Sequence, residues 1–269
     1  VSPATFFAGA IFAALVVLPA WRVHALSRSG AIAAFIVGTV TLGCGGLGAA
    51  AVLLAFFVTS VGLSRVGKRR KRELVDIGKG GARDALQVLA NGGVPTVCIA
   101  LAATLHSAPL TFAFCGAYAA ATADTWATEI GTLMRRPPRS ILTLRPIATG
   151  LSGGITLPGT LAEVAGATFI GIVGLAVGGV FGGPLPAASV LLAIPIAGIA
   201  GATADSLLGA TVQELRRCES CERTCETDPH VCGAPTALVR GIPGWSNDLV
   251  NASATLVGAA VGFVLSAAG

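Results

Sequence analysis

The chain has 269 residues, 54% of them hydrophobic and only 12% charged, with a mean hydropathy of +0.79 and a formal net charge of +5. Soluble domains carry about 25% charged residues, so a soluble globular enzyme, a disordered chain and a disulfide-stapled secreted module are excluded. At roughly 20 residues per span plus loops there is room for about seven to nine membrane helices, and the 36 glycines suit helices whose backbones approach closely.

Eight apolar segments follow in chain order: 3–20, 31–46, 48–64, 88–105, 108–133, 157–181, 186–213 and 248–267. The second and third meet at Gly43-Cys44-Gly45-Gly46-Leu47-Gly48 and read as two short spans or one re-entrant feature. In the fourth, Gly92, Gly93 and Pro95 are expected to break the helix, which at membrane depth is tolerated where the break lines a cavity.

The basic residues set the topology. Arg22 and Arg28 follow the first segment, eight basic residues from Arg65 to Arg83 follow the third, Arg135, Arg136, Arg139 and Arg145 follow the fifth, and Arg216, Arg217, Arg223 and Arg240 follow the seventh. The other three connections hold none. Because cytoplasmic loops carry the positive excess, both termini are expected outside and these four loops inside. The expected fold is therefore all-α: one polytopic integral membrane bundle over 1–269, of about eight transmembrane segments, with a small cytoplasmic Cys/His-rich loop at 214–240. A prokaryotic inner membrane or an organelle membrane fits. The run Lys68-Arg69-Arg70-Lys71-Arg72 suits anionic headgroups, whereas Lys79 and Arg83 are candidates for a phosphorylated substrate.

Carboxylates at membrane depth are costly and mark function by default. Of the 13 acids, Asp124, Glu129, Glu163 and Asp205 fall in or at the edges of apolar segments, and Asp248 opens the last. On a helix Asp124 and Thr128 share a face, with Thr125 and Glu129 in the adjacent row. Asp205, Gly209 and Gln213 are likewise spaced by four. Oxygen ligands of this kind suit Mg²⁺, held by one or two carboxylates plus substrate phosphates, and Asp124, Glu129 and Asp205 are the candidate ligands and catalytic residues. Asn247, Asp248 and Asn251 can face one site, or Asn247 and Asp248 can serve a helix start. Arg83, Gln87 and Asn91 form a row from the basic loop into the membrane. The stretch 140–160, with Thr143, Arg145, Thr149, Gly150, Ser152, Gly153, Gly154 and Thr156, reads either as a phosphate cradle or as a flexible link.

Seven cysteines are present. Cys44, Cys98 and Cys115 sit singly in apolar segments. Cys218, Cys221, Cys225 and Cys232 cluster with His230 in a loop expected to be cytoplasmic, where disulfides are disfavoured. The spacing suggests structural Zn²⁺, with Cys218, Cys221, Cys232 and either His230 or Cys225 as ligands; unligated thiols or a disulfide are the alternatives.

From about residue 79 onward, the stretches Gln87 to Gly93, Asp124 to Gly131, Arg145 to Gly159, Asp205 to Gln213, the Cys/His loop and Arg240 to Asn251 together resemble a family of polytopic membrane proteins that includes the plant phytyl-phosphate kinase and transmembrane-protein-19-like members. That family is distantly similar to CTP-dependent lipid enzymes: dolichol kinase, phytol kinase and phosphatidate cytidylyltransferase. Their Asp-x-x-Ala-x-x-x-Gly signature is reproduced by Asp124, Ala127 and Gly131, and 146–154 sits where their Ser/Thr/Gly-rich loop does. Two departures stand out. The basic residue usual in that loop is not evident, with Arg145 the candidate in its place, and Val231 separates His230 from Cys232.

The resemblance implies a prenyl-phosphate kinase that transfers a phosphoryl group from a nucleoside triphosphate, CTP by analogy, to an isoprenoid monophosphate lipid in the membrane, with Mg²⁺ and a site facing the cytoplasm. Nucleic acid is not an expected partner. Lys79, Arg83, Gln87, Asn91, Thr128, Arg145, Gln213, Asn247, Asp248 and Asn251 are the expected substrate contacts. A lipid cytidylyltransferase and a membrane transporter are the alternatives.

Overall fold

Helix starts are set by residues that satisfy the first free backbone N–H groups. Ser2 and Thr5 form a capping box before Pro3, and Asp84 and Gln87 form another; Ser27 and Thr156 accept from the backbone of Gly30 and Gly159. The computed structural model describes residues 2–67, 81–178 and 187–266. It holds seven helices among these: α1 (Pro3–Arg22), α2 (Arg28–Arg65), α3 (Ala85–Leu105), α4 (Ala108–Gly131), α5 (Leu157–Ala176), α6 (Ala187–Thr211) and α7 (Asn247–Ser266).

The long element α2 is two helices. Its backbone leaves the helical region at Gly46, where φ is +64°, a conformation glycine adopts without a Cβ penalty. A straight helix would set Ala34 and Phe57 about 35 Å apart at 1.5 Å per residue, yet both line one cavity. The halves therefore fold back on each other, the first of the two alternatives left open by the sequence, giving eight helical passes among the described residues. In contrast, α3 runs unbroken through Gly92, Gly93 and Pro95, so the expected break is absent. A Cβ at Gly92 would lie 3.2 Å from Val37; the missing side chain serves the contact of α3 with α2.

Six helices are long and apolar enough to cross a membrane. The exception, α4, is the axis of the bundle. Its residues 112–123 are all buried, and it packs against α2, α3, α5, α6 and α7. Protein rather than lipid surrounds it, so it needs small side chains more than apolar bulk. A Cβ at Gly258 would fall 2.6 Å from the Gly116 carbonyl oxygen, one at Gly262 2.6 Å from that of Phe112, and one at Gly198 2.9 Å from the Ala119 Cβ. The first two pairs make α7 antiparallel to α4. Phe114, edge-on, and Phe56, tilted, pack around the fully buried Tyr118, with ring centroids 5.2 and 5.5 Å from its own.

Small sheets organise two connections of this otherwise helical bundle. Between α4 and α5, β1 (Arg139–Ser140) pairs antiparallel with β2 (Gly154–Ile155). Between α6 and α7, β3 (Leu215–Cys218) lies between β4 (Thr224–Cys225) and β5 (Thr236–Arg240), all antiparallel. Both connections sit at one end of the bundle, where α4 and α6 finish and α3, α5 and α7 begin.

Candidate functional site

At that end lies a cavity of about 280 Å³. From α4 come Asp124, Ala127, Thr128 and Gly131; from α5 Gly159, Thr160 and Glu163; from α6 Ala202, Asp205 and Ser206; from α7 Asn247 and Asn251; from α3 Gln87. The whole stretch 149–156 closes it. Asp124 and Thr128, and Ala127 and Gly131, are each four apart and so stack on one face. A Cβ at Gly131 would sit 3.1 Å from the Thr156 hydroxyl, and one at Gly159 3.0 Å from the Ala127 carbonyl oxygen, so small residues bring α4 and α5 together beneath the site.

The stretch 149–156 is an ordered loop laid flat on α6. Gly153 has φ +82°, and a Cβ there would meet Ala210 Cβ at 2.5 Å and Ala210 Cα at 2.8 Å. One at Gly209 would meet Ser152 Cβ at 2.9 Å. The loop is also held from the other side. Glu226, just beyond β4, accepts from the Ser152 N–H at 2.8 Å, the Ser152 hydroxyl at 2.9 Å and the Gln213 side-chain amide at 2.8 Å. Arg240 donates to the Gly209 carbonyl at 3.1 Å. Burial pushes the Glu226 carboxyl above the usual carboxylate range, while Ser152, Gln213 and the Arg240 charge pull it back.

Four carboxylates, Asp124, Glu163, Asp205 and Glu226, thus line one cavity. Asp124 lies in the field of Glu163 and Glu129, and Asp205 in that of Asp124 and Glu226. Asp205 Oδ2 is buried without a hydrogen-bond partner, and such groups cost free energy unless something occupies them. An excess of carboxylate oxygens with an orphaned one among them fits a hard divalent cation, Mg²⁺ in particular.

Of the residues the sequence singled out, Gln87, Asp124, Thr128, Asp205, Asn247 and Asn251 line this cavity. Gln213 is buried one step behind it, on Glu226. Glu129 does not line it; Glu163 on α5 supplies the further carboxylate instead, because four residues after Asp124 the helix returns to the same face at Thr128, and Glu129 is turned past it. Glu129 acts on Arg83, whose charge burial opposes and Glu129 supports. Arg83 and Asn91 line a second cavity, which shares Gln87 with the first. Arg145 is exposed, its main-chain carbonyl accepting from the Ser140 N–H at 2.9 Å, and it lines neither. Asp248 is buried and does not line the cavity that Asn247 and Asn251 border. Lys79 lies outside the described residues. Sequence reasoning named Ser152 only within the loop read as a phosphate cradle or a flexible link, and missed Glu226, which stands among Glu214, Glu219, Glu222 and Asp228 with nothing local to mark it.

The Cys/His loop forms a second centre beside the first. One ligand atom each from Cys218, Cys221, His230 and Cys232 lies within 4.8 Å of the others. Cys232 Sγ is 3.0 Å from His230 Nδ1, 3.4 Å from Cys221 Sγ and 3.6 Å from Cys218 Sγ. Cys225 is separate, its Sγ turned to the Thr227 carbonyl at 3.5 Å. The open choice between His230 and Cys225 thus falls to His230, and a Cys₃His set fits a tetrahedral metal such as Zn²⁺. Arg216 braces the loop through Glu214 at 3.1 Å and Asp228 at 3.2 Å. Glu226 leaves this small sheet directly after β4, so the Cys/His centre and the acidic cavity are joined through one residue.

Fold and site together define a helical integral membrane protein with an acidic, loop-capped cavity at one end of its bundle. The chain belongs to the family of integral membrane proteins DUF92, which it matches over residues 11–259. It is 34% identical to Protein PGR of Arabidopsis thaliana over 87% of its own length and 85% of the relative's. It is 36% identical to an uncharacterized membrane protein of Methanocaldococcus jannaschii over 69% of its length and 74% of that protein. To the chloroplastic Protein VTE6 of Arabidopsis thaliana it is 27% identical, over 71% of its length and 58% of that protein. No solved structure matches it.

Proposed function

We propose that the chain is a prenyl-phosphate kinase: it transfers the terminal phosphoryl group of a nucleoside triphosphate, CTP by analogy, to an isoprenoid monophosphate, giving the lipid diphosphate and a nucleoside diphosphate. The observation that carries this reading is that Asp124, Ala127 and Gly131, the residues of the Asp-x-x-Ala-x-x-x-Gly pattern, border the same cavity as the Ser/Thr/Gly loop 149–156. That pairing of an acidic helix with a Ser/Thr/Gly loop is what the resemblance to phytyl-phosphate kinase and other CTP-dependent lipid enzymes leads one to expect.

In the reaction an oxygen of the lipid phosphate attacks the γ-phosphorus and the bond from γ-phosphorus to the bridging β-oxygen breaks. The nucleophile is already an anion near neutrality, since phosphate monoesters have a second pKa of about 6, so no general base is required; no histidine lines the cavity. Catalysis then rests on positioning and charge. Mg²⁺ would be held by Asp124 and Asp205 with Glu163, and when bound it neutralises charge on the phosphates. Thr128 and Thr156 offer hydroxyls, and Gln87, Asn247 and Asn251 offer amides, for orienting phosphate and nucleotide. The basic loops around this end support a cytoplasmic site, because they are the ones the positive-inside rule retains there.

The test is to supply CTP labelled either at the γ- or at the α-phosphate together with phytyl phosphate. Label from the γ-position alone in the lipid supports the kinase. Label from the α-position marks a cytidylyltransferase instead, and no labelled lipid from either marks neither.

A further inference from the structure

Between α1, both halves of α2 and the start of α3 lies a second cavity, of about 70 Å³. Phe12, Val16, Ala34, Leu53 and Phe57 give it an apolar wall, and Arg83, Gln87 and Asn91 are its polar members. We infer that this cavity takes the hydrocarbon carbons nearest the phosphate of an anionic single-chain lipid, with Arg83 holding that phosphate; the inference rests on the lipid-phosphate reading above.

Three observations carry it. First, Arg83 is fixed in place by its backbone, which accepts from Ser27 N–H at 2.9 Å and donates to the Ala25 carbonyl at 3.1 Å. Its guanidinium makes no hydrogen bond or ion pair among the described residues. Glu129 acts on it only through its field, the group is partly buried, and a guanidinium beside an apolar slot matches a phosphate carried on a hydrocarbon. Second, Gln87 borders both cavities. Its Oε1 is taken by the Asp84 N–H at 3.1 Å, which leaves its amide N–H₂ as the donor at the junction. A phosphate on Arg83 would therefore stand next to the acidic cavity, on the side where an acceptor for phosphoryl transfer is needed. Third, the size is informative. A cavity of about 150 Å³ holds benzene, so the slot accommodates only the first carbons, and the rest of the chain lies along the helices in the bilayer.

The experiment uses full-length wild-type protein in lipid nanodiscs and geranyl monophosphate bearing a diazirine on its first isoprene unit. After illumination, labelled peptides are mapped, and diphosphate formation is measured on the same preparation. The slot predicts labelling within 12–17, 34–38 or 50–57, competed by phytyl phosphate and not by phytol, and at least about 10-fold weaker in Arg83→Gln. It further predicts that Arg83→Gln raises KM for the lipid phosphate and leaves KM for CTP unchanged. Diphosphate formation with label on α5 or α6 overturns the slot and keeps the kinase. Competition by phytol equal to that by phytyl phosphate, or full labelling of Arg83→Gln, overturns the role of Arg83. Competed label in the slot without any diphosphate keeps the lipid-phosphate site and removes the kinase reading. The absence of competed label together with the absence of diphosphate overturns both.

Discussion

Glu226 grips Ser152 twice, accepting from its N–H at 2.8 Å and from its hydroxyl at 2.9 Å. The two residues are 74 positions apart. This one pairing fastens the loop that caps the acidic cavity to the Cys/His sheet, and Gln213 shares the same carboxylate.

Glu226→Gln keeps the shape but replaces one acceptor oxygen with an N–H₂ facing donors. Hydrogen bonds to charged groups contribute about 1.5–3 kcal/mol each. Losing one should lower kcat/KM for the nucleotide by about 10- to 100-fold at 1.36 kcal/mol per decade, with the lipid KM little changed. Steady-state kinetics varying each substrate in turn checks this; an unchanged nucleotide KM would free the loop from any dependence on Glu226.

Asp205 shares the cavity with Asp124, Glu163 and Glu226. Without a cation this crowding of acids is destabilising. Asp205→Asn should therefore raise the unfolding temperature in chelator by about 2–4 °C, the shift expected for about 1 kcal/mol in a chain of this size range. Mg²⁺ should stabilise the wild type clearly and the variant little. Thermal unfolding with and without Mg²⁺ decides it, and equal stabilisation of both proteins would take Asp205 out of the cation site.

The Cys/His centre should bind about one Zn²⁺ per chain. Cys221→Ser and Cys232→Ser should lose it, and Cys225→Ser should keep it, because the Cys225 thiol points to Thr227. As Glu226 follows Cys225 directly, metal loss should also lower turnover. Metal analysis of the three variants alongside their activity measures both; zinc lost from Cys225→Ser would reassign the ligand set.

Gly153→Ala places a Cβ against Ala210 at a backbone φ of +82°. Both the strain and the contact push the loop off α6. Turnover should fall at least about 100-fold, the scale of losing positioned donors around a reacting group, while the helical content read by circular dichroism stays unchanged. Wild-type turnover in this variant would mean that the loop's seat on α6 is not needed.

Much of the bundle was legible because membranes impose long apolar runs and a one-sided distribution of Lys and Arg. The glycine cluster around Gly46 marked an interruption but left open two short spans or one re-entrant feature; the left-handed backbone at Gly46 decides for two helices. The helix through Gly92, Gly93 and Pro95 was misread because those residues break helices in water, whereas here neighbouring helices pack around them. Asp124, Thr128 and Asp205 stood out as polar groups at membrane depth. Glu129 was chosen over Glu163 because it lies close to Asp124 in sequence; which of two acids reaches a cavity depends on the rotation of a helix set by packing of distant residues such as Gly166 against Trp126. Glu226 was invisible because its role comes from a contact with a loop far away in the chain.

The most direct measurement is the mass of the lipid product when purified protein is given Mg²⁺, phytyl phosphate and CTP, for the wild type and for Asp124→Asn. The wild type should yield phytyl diphosphate with CDP in equal amount, and Asp124→Asn, folded as a cooperative melting transition shows, should yield none. A CDP-linked lipid, no product from the wild type across several isoprenoid phosphates, or full activity in Asp124→Asn would contradict phosphoryl transfer at this cavity.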